Sequence, residues 1–90
     1  MSISGECIKL DGDLLHVLRG IGERLDGAEG EIVLDFSTVE RLAPNEVRAM
    51  EELAGVAEGL KVRVVLSGVS VSIYKVLKLA KLASRFTFAN

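Results

Sequence analysis

With one cysteine in ninety residues, Cys7, the chain cannot close an intrachain disulfide, and it offers no CxxC-type zinc motif. A fold that needs no cross-link suits a reducing compartment, so the expected location is cytoplasmic. No basic run followed by an apolar stretch opens the sequence, which argues against a signal peptide. No apolar run approaches the roughly 20 residues needed to cross a bilayer, so no direct membrane insertion is expected. The net charge of −2 gives no sequence-wide attraction to nucleic acid or to an anionic membrane. Catalytic groups are equally scarce. His16 is the only histidine, no serine or cysteine sits at a spacing that implies a nucleophile, and no GxxxxGK[ST] cradle is present. Gly20-Ile21-Gly22 lies inside a helical pattern rather than after a strand. The expectation is a protein that is not an enzyme and needs no metal or cofactor.

Repeats, low-complexity tracts and linkers are also missing, so residues 1–90 read as one domain. Hydrophobic residues at 49% and charged residues at 27% give the profile of a globular chain. A chain this short buries only about 60–65% of its unfolded surface, which leaves a small core. What organises the sequence is alternation. Cys7–Leu10 is strand-like and ends at the turn signal Asp11-Gly12. Asp13 can cap a helix whose apolar positions are Leu14, Leu18, Ile21 and Leu25, with His16, Arg19 and Glu23 on the other side. Gly20 and Gly22 each weaken that helix by about 1 kcal/mol relative to alanine, so it must lean on tertiary packing.

Gly27 and Gly30 precede the run Glu31–Phe36, whose middle is apolar on both faces, as in a central strand covered on both sides. Ser37–Ala43 reads as a loop, and Pro44 suits the first turn of a helix, where its missing N–H is not needed. That helix should bury Val47, Met50, Leu53, Ala54 and Ala57, present Arg48, Glu51, Glu52 and Glu58 to water, and end at Gly59. Lys61–Leu66 is a second β-branched strand, Ser67-Gly68 a turn, Ser70 a cap for a third helix, and Phe86–Phe88 a terminal strand. The pattern predicts strands near residues 6–10, 31–36, 61–66 and 86–88 and helices near 13–25, 44–58 and 70–80. The order βαβαβαβ with short connections gives an α/β fold, a small and mainly parallel sheet of about four strands with three helices against it. The expected core is Leu14, Leu18, Ile21, Leu34, Val47, Met50, Ala54, Val64, Ile73, Leu77 and Leu82.

The third helix contains a conflict that predicts its end. Ile73, Val76, Leu77 and Ala80 share a face, but a continued helix would set Leu82 beside Lys75 and Lys78. Burying Leu82 requires the helix to stop near Ala80 or Lys81 and the chain to turn beneath it.

Taken together, Ile32-Val33-Leu34-Asp35-Phe36-Ser37-Thr38-Val39, the helix after Pro44, the strand Val62–Leu66 and the Leu77–Phe86 ending resemble a STAS domain. That family includes bacterial anti-sigma-factor antagonists and the STAS subunits of some transporters. The resemblance covers nearly the whole chain, although the family usually has an extra first strand, for which Met1–Glu6 is barely long enough. In the family pattern a strand ending Leu-Asp-Leu-Ser leads to Asp-Ser-Ser-Gly at the start of the second helix. Leu34-Asp35-Phe36-Ser37 matches the first part, and Ala43-Pro44-Asn45-Glu46 stands in place of the second. The family's phosphate-accepting serine corresponds to Asn45, which has no hydroxyl. The family also usually has glycine where Lys81 stands, so the resemblance puts Lys81 at positive φ.

The resemblance implies a protein-interaction domain that docks through Asp35, Ser37, Ala43, Pro44, Asn45 and Glu46, without the serine switch. Two settings fit: a partner of the anti-sigma-factor, serine-kinase type, or the ATPase of an ABC transporter, often one for lipids. Weak association into a homodimer is a further expectation, and binding of nucleic acid is not expected. Each feature also has a plainer reading. Asn45 can be a capping residue, Glu46 a first-turn acid favoured by the helix dipole, and Asp35 an acceptor for loop N–H groups. Lys75, Lys78, Lys81 and Arg85 can be a solvated helix face, and Cys7 a small strand residue.

Overall fold

The computed structural model describes residues 6–10, 12–25 and 30–89. Within them the chain runs β1 (Glu6–Lys9), α1 (Leu14–Arg24), β2 (Glu31–Asp35), α2 (Pro44–Leu60), β3 (Arg63–Ser67), α3 (Val71–Leu79), a 3-10 turn at Ala83–Arg85 and β4 (Thr87–Ala89). An extra strand before β1 would fall on residues 1–5, outside the described residues, as do Asp11 and Gly27.

All three strand pairs are parallel, in the order β1-β2-β3-β4. The fold is α/β, as the alternation predicts, and among the described residues the sheet is wholly parallel. Right-handed crossovers that always step to the next strand in the same direction keep every helix on one face. Burial agrees. Along β2, Ile32 and Leu34 are buried while Glu31, Val33 and Asp35 are half-buried. The expectation that β2 is covered on both faces is therefore corrected: its core face is sealed and its other face is only partly shielded. Val65 is buried yet stands outside the main core cluster, which places it on that second face beside its register partners Val33 and Thr87.

The core joins α1 (Leu18, Ile21), the sheet (Ile32, Leu34, Val64, Leu66), α2 (Met50, Leu53, Ala54, Ala57) and α3 (Ile73, Leu77) with Leu82. Of the expected core residues, Leu14 and Val47 are half-buried at its margin and the others are buried. Leu10, Leu25, Phe36 and Phe86 are buried as well.

Both predicted caps are formed. Asp13 Oδ1 accepts from the His16 N–H at 3.3 Å, and Ser70 Oγ from the Ile73 N–H at 3.2 Å. The end of α3 is a Schellman motif. The Leu82 N–H donates to the Leu77 carbonyl at 2.8 Å and the Lys81 N–H to the Lys78 carbonyl at 3.0 Å, with Lys81 at φ 63°. Leu82 thereby returns beneath the helix, where it is 1% exposed. The end of α2 departs from expectation. Gly59 stays helical, and the left-handed position falls to Lys61 at φ 59°. The Val62 N–H then bonds the Ala57 carbonyl at 2.9 Å, repeating the α3 pattern of a left-handed lysine followed by a buried aliphatic residue. Burying Val62 beneath α2 sets that endpoint, and this outweighs the local preference for glycine.

Candidate functional site

The ends of β1, β2 and β3 and the start of α2 meet on one side of the molecule. Main-chain pairing continues past the strands there: the Leu10 N–H donates to the Asp35 carbonyl at 3.1 Å and the Phe36 N–H to the Ser67 carbonyl at 2.8 Å. The Thr38 hydroxyl donates to the Leu10 carbonyl at 2.8 Å, tying the loop after β2 to the end of β1. Gly68 is at φ +69°, and a β-carbon on it would come within 3.2 Å of Ser37 N, Cα and Cβ. Only glycine lets the turn after β3 lie this close to Ser37.

Asp35 and Ser37 form one group. The Ser37 N–H donates to Asp35 Oδ1 at 2.8 Å, an Asx turn at the strand end. Hydrogen bonds from Ser37, backbone and then side chain, are the main reason the Asp35 carboxyl lies below its ordinary value, and the nearby Lys9 ammonium adds to this. Asp35 is thus an ionised acceptor for one loop N–H, that of Ser37, at neutral pH, in line with its plainer reading.

Ala43, Pro44, Asn45 and Glu46 form the second group. Ala43 is the N-cap of α2 and brings no side-chain oxygen, while Pro44 takes the first helical position. Glu46 supplies the other half of a capping box: its Oε1 accepts from the Ala43 N–H at 2.7 Å. The Glu46 and Val47 N–H groups bond the Ala43 carbonyl, each at 2.9 Å. Asn45 is therefore not the cap, which corrects that reading. It stands exposed at the second helical position, and among the described residues neither its N–H nor its side chain has a hydrogen-bond partner. An exposed carboxamide at a helix start offers a donor and an acceptor together with the positive end of the helix dipole.

No hydrogen bond among the described residues joins the two groups. The intervening loop lies along an open concavity of about 530 Å³, formed by Leu10, Gly12 and Leu14 on one side and Thr38, Val39, Glu40, Arg41, Ala43 and Glu46 on the other. Thr38, Arg41 and Leu10 are not sequence-predicted site residues. Nothing local marks Thr38 and Leu10, because the contact that joins them spans 28 residues. Asp35, Ser37, Pro44 and Asn45 do not line this concavity.

Among the described residues no three His, Cys, Asp or Glu side chains gather to hold a metal ion. No helix among them is long and apolar enough to cross a membrane. Cys7 is exposed on β1 and His16 on α1, well separated from the start of α2 in the chain. No protein-family model matches the sequence, and no curated protein matches it.

Proposed function

We propose that this chain is a STAS-type interaction domain that docks on a protein partner through the start of α2 and the loop leading into it, without catalysis and without a serine switch. The observation that carries this reading is Asn45: an exposed amide with no hydrogen-bond partner among the described residues, at the second position of a long helix and beside an open loop concavity. A helix start that ends its own hydrogen bonding at Ala43 and Glu46 leaves Asn45 available to a partner's polar groups. The parallel βαβαβαβ frame and the left-handed Lys81, at the position where the family usually has glycine, support the family resemblance.

The partner in this reading is an anti-sigma factor of the serine-kinase type. The missing hydroxyl at position 45 also favours a second setting, a subunit seated permanently on the ATPase of an ABC transporter, where no phosphate switch is required. The test is capture from native lysate with the wild-type chain and with Asn45→Asp, which puts a negative charge at the site in nearly the same volume. The expected result is one dominant protein on the wild type and its loss on Asn45→Asp, with equal thermal melts for the two. The identity of that protein, kinase or transporter ATPase, assigns the setting. Equal capture by both variants removes the site from the proposal.

A further inference from the structure

Charge is distributed unevenly along this chain. Residues 67–90 carry Lys75, Lys78, Lys81 and Arg85 and not one acid, whereas residues 1–66 hold all thirteen acids against seven cations. Arg85 is neutralised within the fold, its guanidinium gripping Glu58 at 2.8 and 2.9 Å. Lys75, Lys78 and Lys81 are exposed and belong to no ion pair among the described residues. The outer face of α3 is also unusually apolar for a solvated surface. Leu79 is 85% exposed and Val71 69%, and Tyr74 lies beside them, edge-on to Phe88 with ring centroids 5.2 Å apart. Exposed aliphatic residues interleaved with unpaired lysines form a surface that calls for an acidic, partly apolar counterpart.

The same molecule has such a counterpart. Between α1 and α2 runs an open groove of about 450 Å³ with an apolar floor of Leu18, Ala49, Leu53 and Val56, the last 43% exposed. Glu23 and Glu52 stand on its walls, with Arg19 as the one cation there among the described residues. Leu60, one helical turn beyond Val56, extends the apolar strip.

We infer that α3 of one copy docks in the α1–α2 groove of a second copy of this chain. Lys75 and Lys78 meet Glu23 and Glu52, while Val71 and Leu79 cover Val56. The two surfaces differ, so the contact is heterologous rather than one patch meeting itself. Neither surface includes Asp35, Ser37 or residues 43–46, so the association is independent of the proposed docking site. The patches are small, and the contact belongs to the weak class of interfaces.

Sedimentation of the full chain at low salt, up to about 1 mM protein, tests this. The expected result is an apparent mass that climbs above the monomer with concentration and falls back as salt is raised to about 0.5 M. Lys75→Glu/Lys78→Glu and Glu23→Lys/Glu52→Lys should each be monomeric alone, and an equimolar mixture of the two should associate again, because each retains the surface the other lost. Leu79→Ser, at a site too exposed to affect folding, should weaken association at least several-fold and supplies the test if a charge-reversed variant melts early. The inference is overturned by a wild type monomeric across the range, by charge-reversed variants that associate like the wild type, or by a mixture that stays monomeric. Co-sedimentation of the monomeric wild type with phosphatidylserine vesicles, abolished by Lys75→Glu/Lys78→Glu, would assign the face to lipid and overturn it equally.

Discussion

Lys61 and Lys81 sit in the left-handed region at φ 59° and 63°, where a β-carbon crowds the following carbonyl. Glycine relieves that crowding and loses more freedom on folding, so the net gain is smaller than the relief alone. Lys81→Gly should stabilise the protein by about 0.5–1 kcal/mol, seen in a denaturant titration as a higher midpoint at unchanged slope. A loss of stability would mean that the helix end is not set by Lys81. The two lysines also mark how far single residues can be read. Lys81 was legible because Leu82 demands burial, which a continued helix forbids. Lys61 was not, because Gly59 offers a local stop signal that the burial of Val62 overrides. Gly68 gives the opposite sign. Its φ of +69° and the 3.2 Å approach to Ser37 leave no room for a side chain, so Gly68→Ala should destabilise by about 1–2 kcal/mol in the same assay.

At the scale of elements, the caps of α1 and α3 could be read because Asp13 and Ser70 carry their own acceptors. The start of α2 is harder to read, since Ala43 brings none and the acceptor comes from Glu46. Pro44 therefore marked where α2 begins but left Asn45 with two readings, of which the position of the cap at Ala43 removes the capping one. It missed the wall of the concavity, because Thr38 meets Leu10 only after β1 and β2 have paired. The 3-10 turn after α3 is held to α2 by the Arg85–Glu58 fork, and this pair makes a pH prediction. The hydrogen bond from Arg85, with its charge, holds the Glu58 carboxyl below its ordinary 4.5, as Ser37 holds Asp35 below 3.8. A carboxyl depressed in the folded state adds stability that is fully present above its ordinary value and is lost as pH falls through the folded one. Urea titrations should therefore show stability declining as pH drops below about 4.5, with Arg85→Gln losing the Glu58 share of that decline. Identical pH profiles for the two proteins would remove the pair from the account.

For the molecule as a whole, strand order and helix placement follow from one repeated step, strand to helix to the next parallel strand, always in the same direction. That regularity made the fold class legible. The half-shielded second face of the sheet was not, because Val33 and Val65 look the same in sequence whether helices or water lie over them. The repeated step also gathers the strand ends and the start of α2 on one side, and the central proposal concerns that side, namely that Asn45 lies in a protein interface. Calorimetric titration of the captured partner into the wild type and into Asn45→Asp tests this most directly. The account predicts a dissociation constant weakened at least about tenfold, roughly 1.4 kcal/mol, with a melting temperature unchanged because aspartate is well tolerated in a first helical turn. Equal affinity in an equally stable variant would contradict it.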